Sequence, residues 1–416
     1  MSQFVVYGGK RLEGELQISG SKNAVLPIMA ATLLNEGVTM LENCPKISDV
    51  EIMQELLLEL GCKVEWHDHV LFIDTSTLNA CEISERLVKR MRSSIILLGA
   101  LLGRCGEAKM SKPGGCQLGA RPINYHLSGL ASMGVEINEQ EDIICCKTRN
   151  LQGATINLKF PSVGATENIM LAAVKSSGMT IINNPAREPE IVDLQNYLIS
   201  CGAQIKGAGT GQIIIRGVEK LSSIRYRVIP DRIIAGTYMA AAAITRGNIR
   251  LTDVSPQDLS IVTKTFEKMG CRIITEKNTL ELFTPKVLHG IDIETAPHPG
   301  FPTDMQSQML ALLCTCHDIS RVTERLFEAR FKTVEELRKM GAQLKIEEEQ
   351  VIITPCKKLI GANVMAKDLR GGASLVVAGL AAEGCTIVDG IEHIKRGYAD
   401  IVSDLTKLGA QIEERI

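Results

Sequence analysis

Leu60-Gly61-Cys62-Lys63-Val64 is a short stretch that recurs along the chain. It returns as Met133-Gly134-Val135-Glu136-Ile137, Cys201-Gly202-Ala203-Gln204-Ile205 and Met269-Gly270-Cys271-Arg272-Ile273. Two more copies are Met340-Gly341-Ala342-Gln343-Leu344 and Leu408-Gly409-Ala410-Gln411-Ile412. Each follows an amphipathic run and opens an alternating, strand-like one. Glycine suits the left-handed position that ends a helix, where a Cβ would be strained. Successive glycines are separated by 73, 68, 68, 71 and 68 residues. Coincidental glycines in an ordinary α/β chain do not keep such a spacing, so six structural units are predicted.

A strongly apolar run followed by a glycine or a polar turn also recurs, as in 24–34, 169–174, 237–244 and 374–382. A helix that is apolar nearly all round belongs inside a domain. The amphipathic helices, such as 49–60 and 332–340, belong outside. Units of this size exceed solenoid repeats of about 20–45 residues. Three units per domain then give two similar α/β domains. The segment 3–18 alternates like a strand pair and is expected to join the C-terminal half. The predicted domains are 22–229, carrying the loop described below, and a discontinuous second one of 1–21 with 230–416.

The openings of the six inner helices carry the functional signal. They read Ser19-Gly20-Ser21-Lys22-Asn23, Lys89-Arg90-Met91-Arg92-Ser93, Pro161-Ser162-Val163-Gly164, Pro230-Asp231-Arg232, Phe301-Pro302-Thr303-Asp304 and Lys367-Asp368-Leu369-Arg370-Gly371. Cap residues, Pro and Gly stand where helices begin. Lys22, Arg92, Arg232 and Arg370 stand there too, although the helix dipole disfavours cations in a first turn. Helix N-termini also offer unpaired N–H groups to an anion. The expected ligand is a highly anionic substrate in a cleft between the domains.

Composition narrows the classes. The chain has 416 residues, 45% hydrophobic and 23% charged, with a net charge of −2. That balance gives no electrostatic case for nucleic acid, and 4% aromatics give few stacking platforms. Thirteen cysteines without a disulfide framework indicate a reducing compartment, and the chain is expected to be cytoplasmic. No apolar run is long enough for a membrane span. Cys314-Thr315-Cys316-His317, Cys145-Cys146 and His67-Asp68-His69 lack metal-site spacing, so no metal and no cofactor are expected. Gly207-Ala208-Gly209-Thr210-Gly211 precedes a strand-like run and reads as a hairpin, not a dinucleotide loop.

Residues 111–124, Ser-Lys-Pro-Gly-Gly-Cys-Gln-Leu-Gly-Ala-Arg-Pro-Ile-Asn, read as a long loop with one thiol, Cys116, and one guanidinium, Arg121. Lys112 and Arg121 are positive charges able to activate that thiol.

These residues resemble the enolpyruvyl transferase family that acts on UDP-N-acetylglucosamine. The resemblance runs the full length. It is carried by Gly20-Ser-Lys-Asn-Ala, Pro113-Gly-Gly-Cys-Gln-Leu-Gly-Ala-Arg-Pro, Ser162-Val-Gly-Ala-Thr and Ala186-Arg-Glu-Pro-Glu-Ile-Val-Asp. Phe301-Pro-Thr-Asp-Met-Gln, Phe327-Glu-Ala-Arg-Phe and Arg396-Gly-Tyr complete it. It implies two inside-out α/β barrels, each of three βαβαββ units, with the active site in the interdomain cleft. The implied reaction moves the enolpyruvyl group of phosphoenolpyruvate to the 3′-hydroxyl of UDP-N-acetylglucosamine through a tetrahedral ketal, releasing phosphate. It begins peptidoglycan precursor synthesis.

By resemblance, Cys116 is the general acid and Asp304 the base. Lys22, Asn23, Arg121, Arg330, Arg370 and Arg396 hold phosphoenolpyruvate. Asn23, Arg92, Arg121, Pro122, Ile123, Asn124, Tyr125, Ser162, Val163, Gly164, Asp304 and Leu326 meet the sugar nucleotide. Ser48, Asn124 and Phe160 depart from residues found in some members, which touches nucleotide binding and not the reaction. For Arg232, Glu188 and Glu190, structural ion pairs and substrate contacts both stay open. The shikimate-pathway enolpyruvyl transferase, which shares fold and donor, is the nearest alternative function, and a non-catalytic sugar-nucleotide sensor is another.

Overall fold

The computed structural model describes residues 2–114 and 122–415. The described chain divides into two compact units, one of residues 20–114 and 122–229, the other of 2–19 and 230–415. Each has its own hydrophobic core, one running from Ala24 to Val228, the other joining Phe4–Ile18 residues to those from Ile233 onward.

All six repeated glycines adopt positive φ: 91° at Gly61, 83° at Gly134, 106° at Gly202, 101° at Gly270, 84° at Gly341 and 92° at Gly409. The residue after each glycine donates its N–H to the carbonyl five residues back, as in Cys62 to Leu57 at 3.0 Å and Ala410 to Leu405 at 2.9 Å. This is the Schellman closure, in which a left-handed glycine lets the chain turn back on the last helical carbonyls. It converts each amphipathic helix into the strand that follows.

Six sheets follow, three per unit, five of four strands and one of three among the described residues. Their pattern is shared: three antiparallel strands, the last in sequence lying between the other two in most sheets, with a parallel strand at one edge. Residues 155–157 pair parallel with 179–183, and 292–294 with 321–323. In the three-stranded sheet the parallel edge shrinks to a single bridge between Glu82 and Lys109. The sheet of the first repeat takes its edge from Arg225–Arg227, parallel to Val38–Glu42. The strand Gln3–Tyr7 pairs with Cys385–Asp389 and Gln411–Arg415, while Glu13–Gln17 pairs with Asn248–Thr252. The N-terminal strands thus complete sheets of the C-terminal half.

The apolar helices are interior. Lys22–Ala31 is buried from Ala24 to its end, Arg232–Ile244 from Ile233, and Leu369–Ala381 from Leu369 to Leu380. Ala240–Ala243 form an uninterrupted alanine run, which favours the helix and lets neighbours approach closely. The amphipathic helices are Ser48–Glu59 and Thr333–Lys339 where 49–60 and 332–340 were expected. Two inner helices open with a 3₁₀ turn, Arg92–Ile96 before Leu97–Cys105 and Thr303–Met305 before Gln306–Leu313. Tightened first turns of this kind are common at helix ends.

Candidate active site

In the 2–19 and 230–415 unit, two short elements and one helix opening converge on a carboxylate. Asp304 lies in the Thr303–Met305 turn, Arg330 in the Arg330–Lys332 turn and Arg370 in the first turn of Leu369–Ala381. Asp304 Oδ1 accepts from Arg330 Nη2 at 2.7 Å, and Oδ2 accepts from Arg370 Nη2 at 3.1 Å and Nε at 3.3 Å. Both guanidinium side chains are buried, at 3% and 4% exposure, while the carboxylate side is 29% exposed. Arg330 Nε and Arg370 Nη1 are buried with no hydrogen-bond partner in the described structure. Buried donors left unmade are costly, and they are the groups an incoming anion would satisfy.

Burial on its own would lower the Arg370 pKa, but Asp304, then Tyr398 and Asp231, outweigh it and raise it. Its guanidinium lies 5.9 Å from the Tyr398 ring centroid. The Tyr398 hydroxyl is 2.7 Å from Thr237 Oγ1, which accepts from Gln308 Nε2 at 3.1 Å. This buried chain joins the Arg232–Ile244 and Gln306–Leu313 helices to Tyr398, in the loop beside Arg370.

Leu326 is next to Glu324, a buried carboxylate that accepts from the Leu326 N–H at 2.9 Å and the Phe327 N–H at 3.2 Å. The Leu326 main-chain N–H is thus engaged within the protein. Arg396 follows the short helix Ile391–Ile394 and is partly buried. A Cβ at the neighbouring Gly397 would stand 2.8 Å from the end of the Leu369 side chain, which would have to shift.

In the 20–229 unit, Lys22 and Asn23 open the first inner helix. Lys22 Nζ pairs with Asp49 Oδ2 at 3.1 Å, and Asp49 is 1% exposed. Asp49 sits in the first turn of Ser48–Glu59, where the dipole favours a carboxylate. The cations at helix openings were expected to need a bound anion. Here the structure differs: Lys22 and Arg370 are each compensated by a carboxylate of the protein, Asp49 and Asp304.

A second region of the same unit is a cleft of about 390 Å³ lined by Arg92, Lys112, Pro113, Pro122, Ile123, Asn124, Leu127 and Glu139. It brings together Arg92, at the start of the Arg92–Ile96 turn, and Pro122, Ile123 and Asn124, at the opening of Asn124–Ser132. Lys112 lies 3.5 Å from Glu139, both half-exposed. Lys112 and Gly114 are anchored: the Lys112 N–H donates to the Asp142 main-chain carbonyl at 2.6 Å and the Gly114 N–H to the Val88 carbonyl at 3.2 Å. Cys116 and Arg121 lie outside the described residues.

Ser162 caps the Val163–Ala173 helix, accepting from Ala165 N–H at 3.4 Å. The N–H groups of Val163 and Gly164 stand at that opening, suited to an anion. One turn later Glu167 is buried, and burial, then Glu190 and Glu188, push its pKa well above the usual range while Lys22 pulls the other way. Ser48 opens the Ser48–Glu59 helix, and Phe160, 41% exposed, lies in the turn before Ser162.

Asp49, Glu167 and Glu324 carry no functional signal in the sequence, and Tyr398 enters only as the last residue of the Arg396-Gly-Tyr motif. An acidic residue early in a helix reads as a dipole-favoured position. No group of metal-ligating side chains is present among the described residues, and no described helix is long and apolar enough to cross a membrane. The twelve cysteines among the described residues are all free.

The fold defines the class: it is that of the enolpyruvyl transferases. The enolpyruvyl transferase NikO from Streptomyces tendae superimposes with a TM-score of 0.90 at 25% identity, over 99% of this chain and 98% of that one. The EPSP synthase of Acinetobacter baumannii shares the fold at a TM-score of 0.76, 20% identity and complete coverage of both chains. The family model for EPSP synthase (3-phosphoshikimate 1-carboxyvinyltransferase) matches residues 6–405. Among curated relatives, UDP-N-acetylglucosamine 1-carboxyvinyltransferase 2 of Caldanaerobacter subterraneus subsp. tengcongensis is 48% identical over 99% of both chains. The UDP-N-acetylglucosamine 1-carboxyvinyltransferase of Geotalea uraniireducens is 45% identical over 99% of both chains. The chain belongs to the UDP-N-acetylglucosamine 1-carboxyvinyltransferase family.

Proposed function

We infer that the protein transfers the enolpyruvyl group of phosphoenolpyruvate to the 3′-hydroxyl of UDP-N-acetylglucosamine and releases phosphate, the first step toward peptidoglycan precursors. The observation that carries this reading is full-length identity of 45–48% to relatives of that name. The Asp304–Arg330–Arg370 cluster supports it chemically, because it combines a partly open carboxylate with buried guanidinium donors.

In the addition step, the 3′-oxygen bonds to C2 of phosphoenolpyruvate, the hydroxyl proton passes to Asp304, and the methylene carbon takes a proton from the Cys116 thiol. In the elimination step, a proton returns from that methyl carbon to the Cys116 thiolate, the C2–O bond to phosphate breaks, and the departing phosphate takes the proton held by Asp304. Lys22, Asn23, Arg121, Arg330, Arg370 and Arg396 hold the phosphate and carboxylate of the donor. Planar guanidinium forks match both groups. An anion drawn onto Arg330 and Arg370 takes up charge that otherwise pulls on Asp304.

The acceptor is held by Asn23, Arg92, Arg121, Pro122, Ile123, Asn124, Tyr125, the Ser162–Val163–Gly164 opening, Asp304 and the Leu326 carbonyl. Asn124 keeps a side-chain oxygen for the uracil. The test is phosphate release with phosphoenolpyruvate and either acceptor. Release with UDP-N-acetylglucosamine and none with shikimate 3-phosphate is expected. Release only with the shikimate ester, or tight UDP-sugar binding without any release, overturns the reading.

A further inference from the structure

One buried amide in the 20–229 unit joins the elements assigned above to the nucleotide. Asn168 is fully buried on the Val163–Ala173 helix. Its Oδ1 accepts from the Gly99 N–H at 2.6 Å, in the Leu97–Cys105 helix. Its Nδ2 donates to the Ile95 carbonyl at 2.8 Å, within the turn that Arg92 opens. The same Nδ2 lies 3.0 Å from Nδ1 of His126. Because Gly99 requires the oxygen on its side, the amide orientation is settled, and Nδ1 of His126 must accept. An amide nitrogen has no lone pair to offer, so the ring proton of neutral His126 sits on Nε2.

His126 is buried on the Asn124–Ser132 helix, two residues after Asn124. Its ring edge lies against Gly164: a Cβ there would stand 2.9 Å from Cε1 and 3.3 Å from Nε2. Two further glycines permit the same close approach. A Cβ on Gly99 would stand 2.1 Å from the Asn168 carbonyl oxygen, and one on Gly129 would stand 2.4 Å from Ile169 Cδ1.

We propose that His126 and Asn168 are positioning residues for the sugar nucleotide, locking Arg92, Asn124–Tyr125 and Ser162–Gly164 in one mutual geometry. This rests on the assignment of those elements to the acceptor. The pair acts through the backbones it ties together. A site built this way is formed before the ligand arrives, so little ordering cost is left for binding. Its loss weakens acceptor binding while leaving the donor site and the chemical step in place.

The test is steady-state kinetics of the full chain with each substrate varied, with UDP titrated calorimetrically and thermal melts as the folding control. His126→Phe keeps a ring against Gly164 but removes the acceptor. His126→Asn returns an acceptor near the position of Nδ1. His126→Phe is expected to raise the KM for UDP-N-acetylglucosamine and the Kd for UDP about tenfold, with the KM for phosphoenolpyruvate within about twofold. His126→Asn recovers part of that loss. If His126→Phe does not fold, Gly164→Ala reads the same contact, and it too should raise the KM for UDP-N-acetylglucosamine and not that for phosphoenolpyruvate. Unchanged acceptor KM in a folded His126→Phe chain, or parallel rises for both substrates, overturns the proposal. A wild-type chain that binds no UDP overturns the nucleotide assignment and the proposal together.

Discussion

Arg330 and Arg370, two buried guanidiniums, are bridged by one carboxylate, that of Asp304, at 2.7 and 3.1 Å. Two like charges are held close because a third group of opposite sign lies between them. Any change at Asp304 is therefore a change to all three.

Asp304→Ala leaves both cations without that partner. Breaking a buried pair costs about 3–5 kcal/mol. Because the carboxylate side is 29% exposed, a loss on the order of 2–3 kcal/mol is expected. Urea unfolding measures it. Asp304→Asn keeps the shape with a smaller loss of stability, yet phosphate release should fall by about 10²–10⁴-fold, the usual worth of a general base. Full activity in Asp304→Asn would remove Asp304 from that role.

Lys22 and Asp49 form a pair with a nearly inaccessible carboxylate. Asp49→Ala takes away the group that aims the ammonium. A stability loss of about 1–3 kcal/mol is expected, with a several-fold higher KM for phosphoenolpyruvate. Kinetics with the donor varied check this; a higher KM for the acceptor alone would be the wrong pattern.

Burial, then Glu190 and Glu188, push the Glu167 pKa well above the ordinary glutamate range, against the pull of Lys22. Its folded-state pKa is raised, so its contribution is fully present below the ordinary glutamate range and is lost as pH climbs toward the folded value. Glu167→Gln carries no such loss. The stability of Glu167→Gln relative to wild type should therefore grow between about pH 5 and pH 8 in paired urea titrations. A difference that stays flat across that window contradicts the raised pKa.

The proposed role of Cys116 as proton donor makes a chemical prediction. Cys116→Ser should lose most phosphate release at neutral pH, because a hydroxyl is a far weaker acid. Cys116→Asp should retain it, since a carboxylic acid can also donate. Epoxide phosphonates of the fosfomycin type should alkylate the wild-type thiol, detected by intact mass, and leave Cys116→Asp active. Equal activity in Cys116→Ser and wild type would assign the acid elsewhere.

The sequence by itself determined the repeat. Glycine at 61, 134, 202, 270, 341 and 409 marks a local backbone demand, a left-handed residue at a helix end, and local demands are readable along the chain. The inner and outer helices were legible for the same reason, since periodicity records which face is buried. The cations at helix openings were legible as a pattern. What compensates them was not, because Asp49 is 27 residues from Lys22, and Asp304 is 66 from Arg370. The Asn168–His126 bond, spanning 42 residues, is of the same kind. Only the tertiary structure decided these pairings. A buried polar side chain must find a partner wherever packing places one, and sequence separation carries no record of that choice.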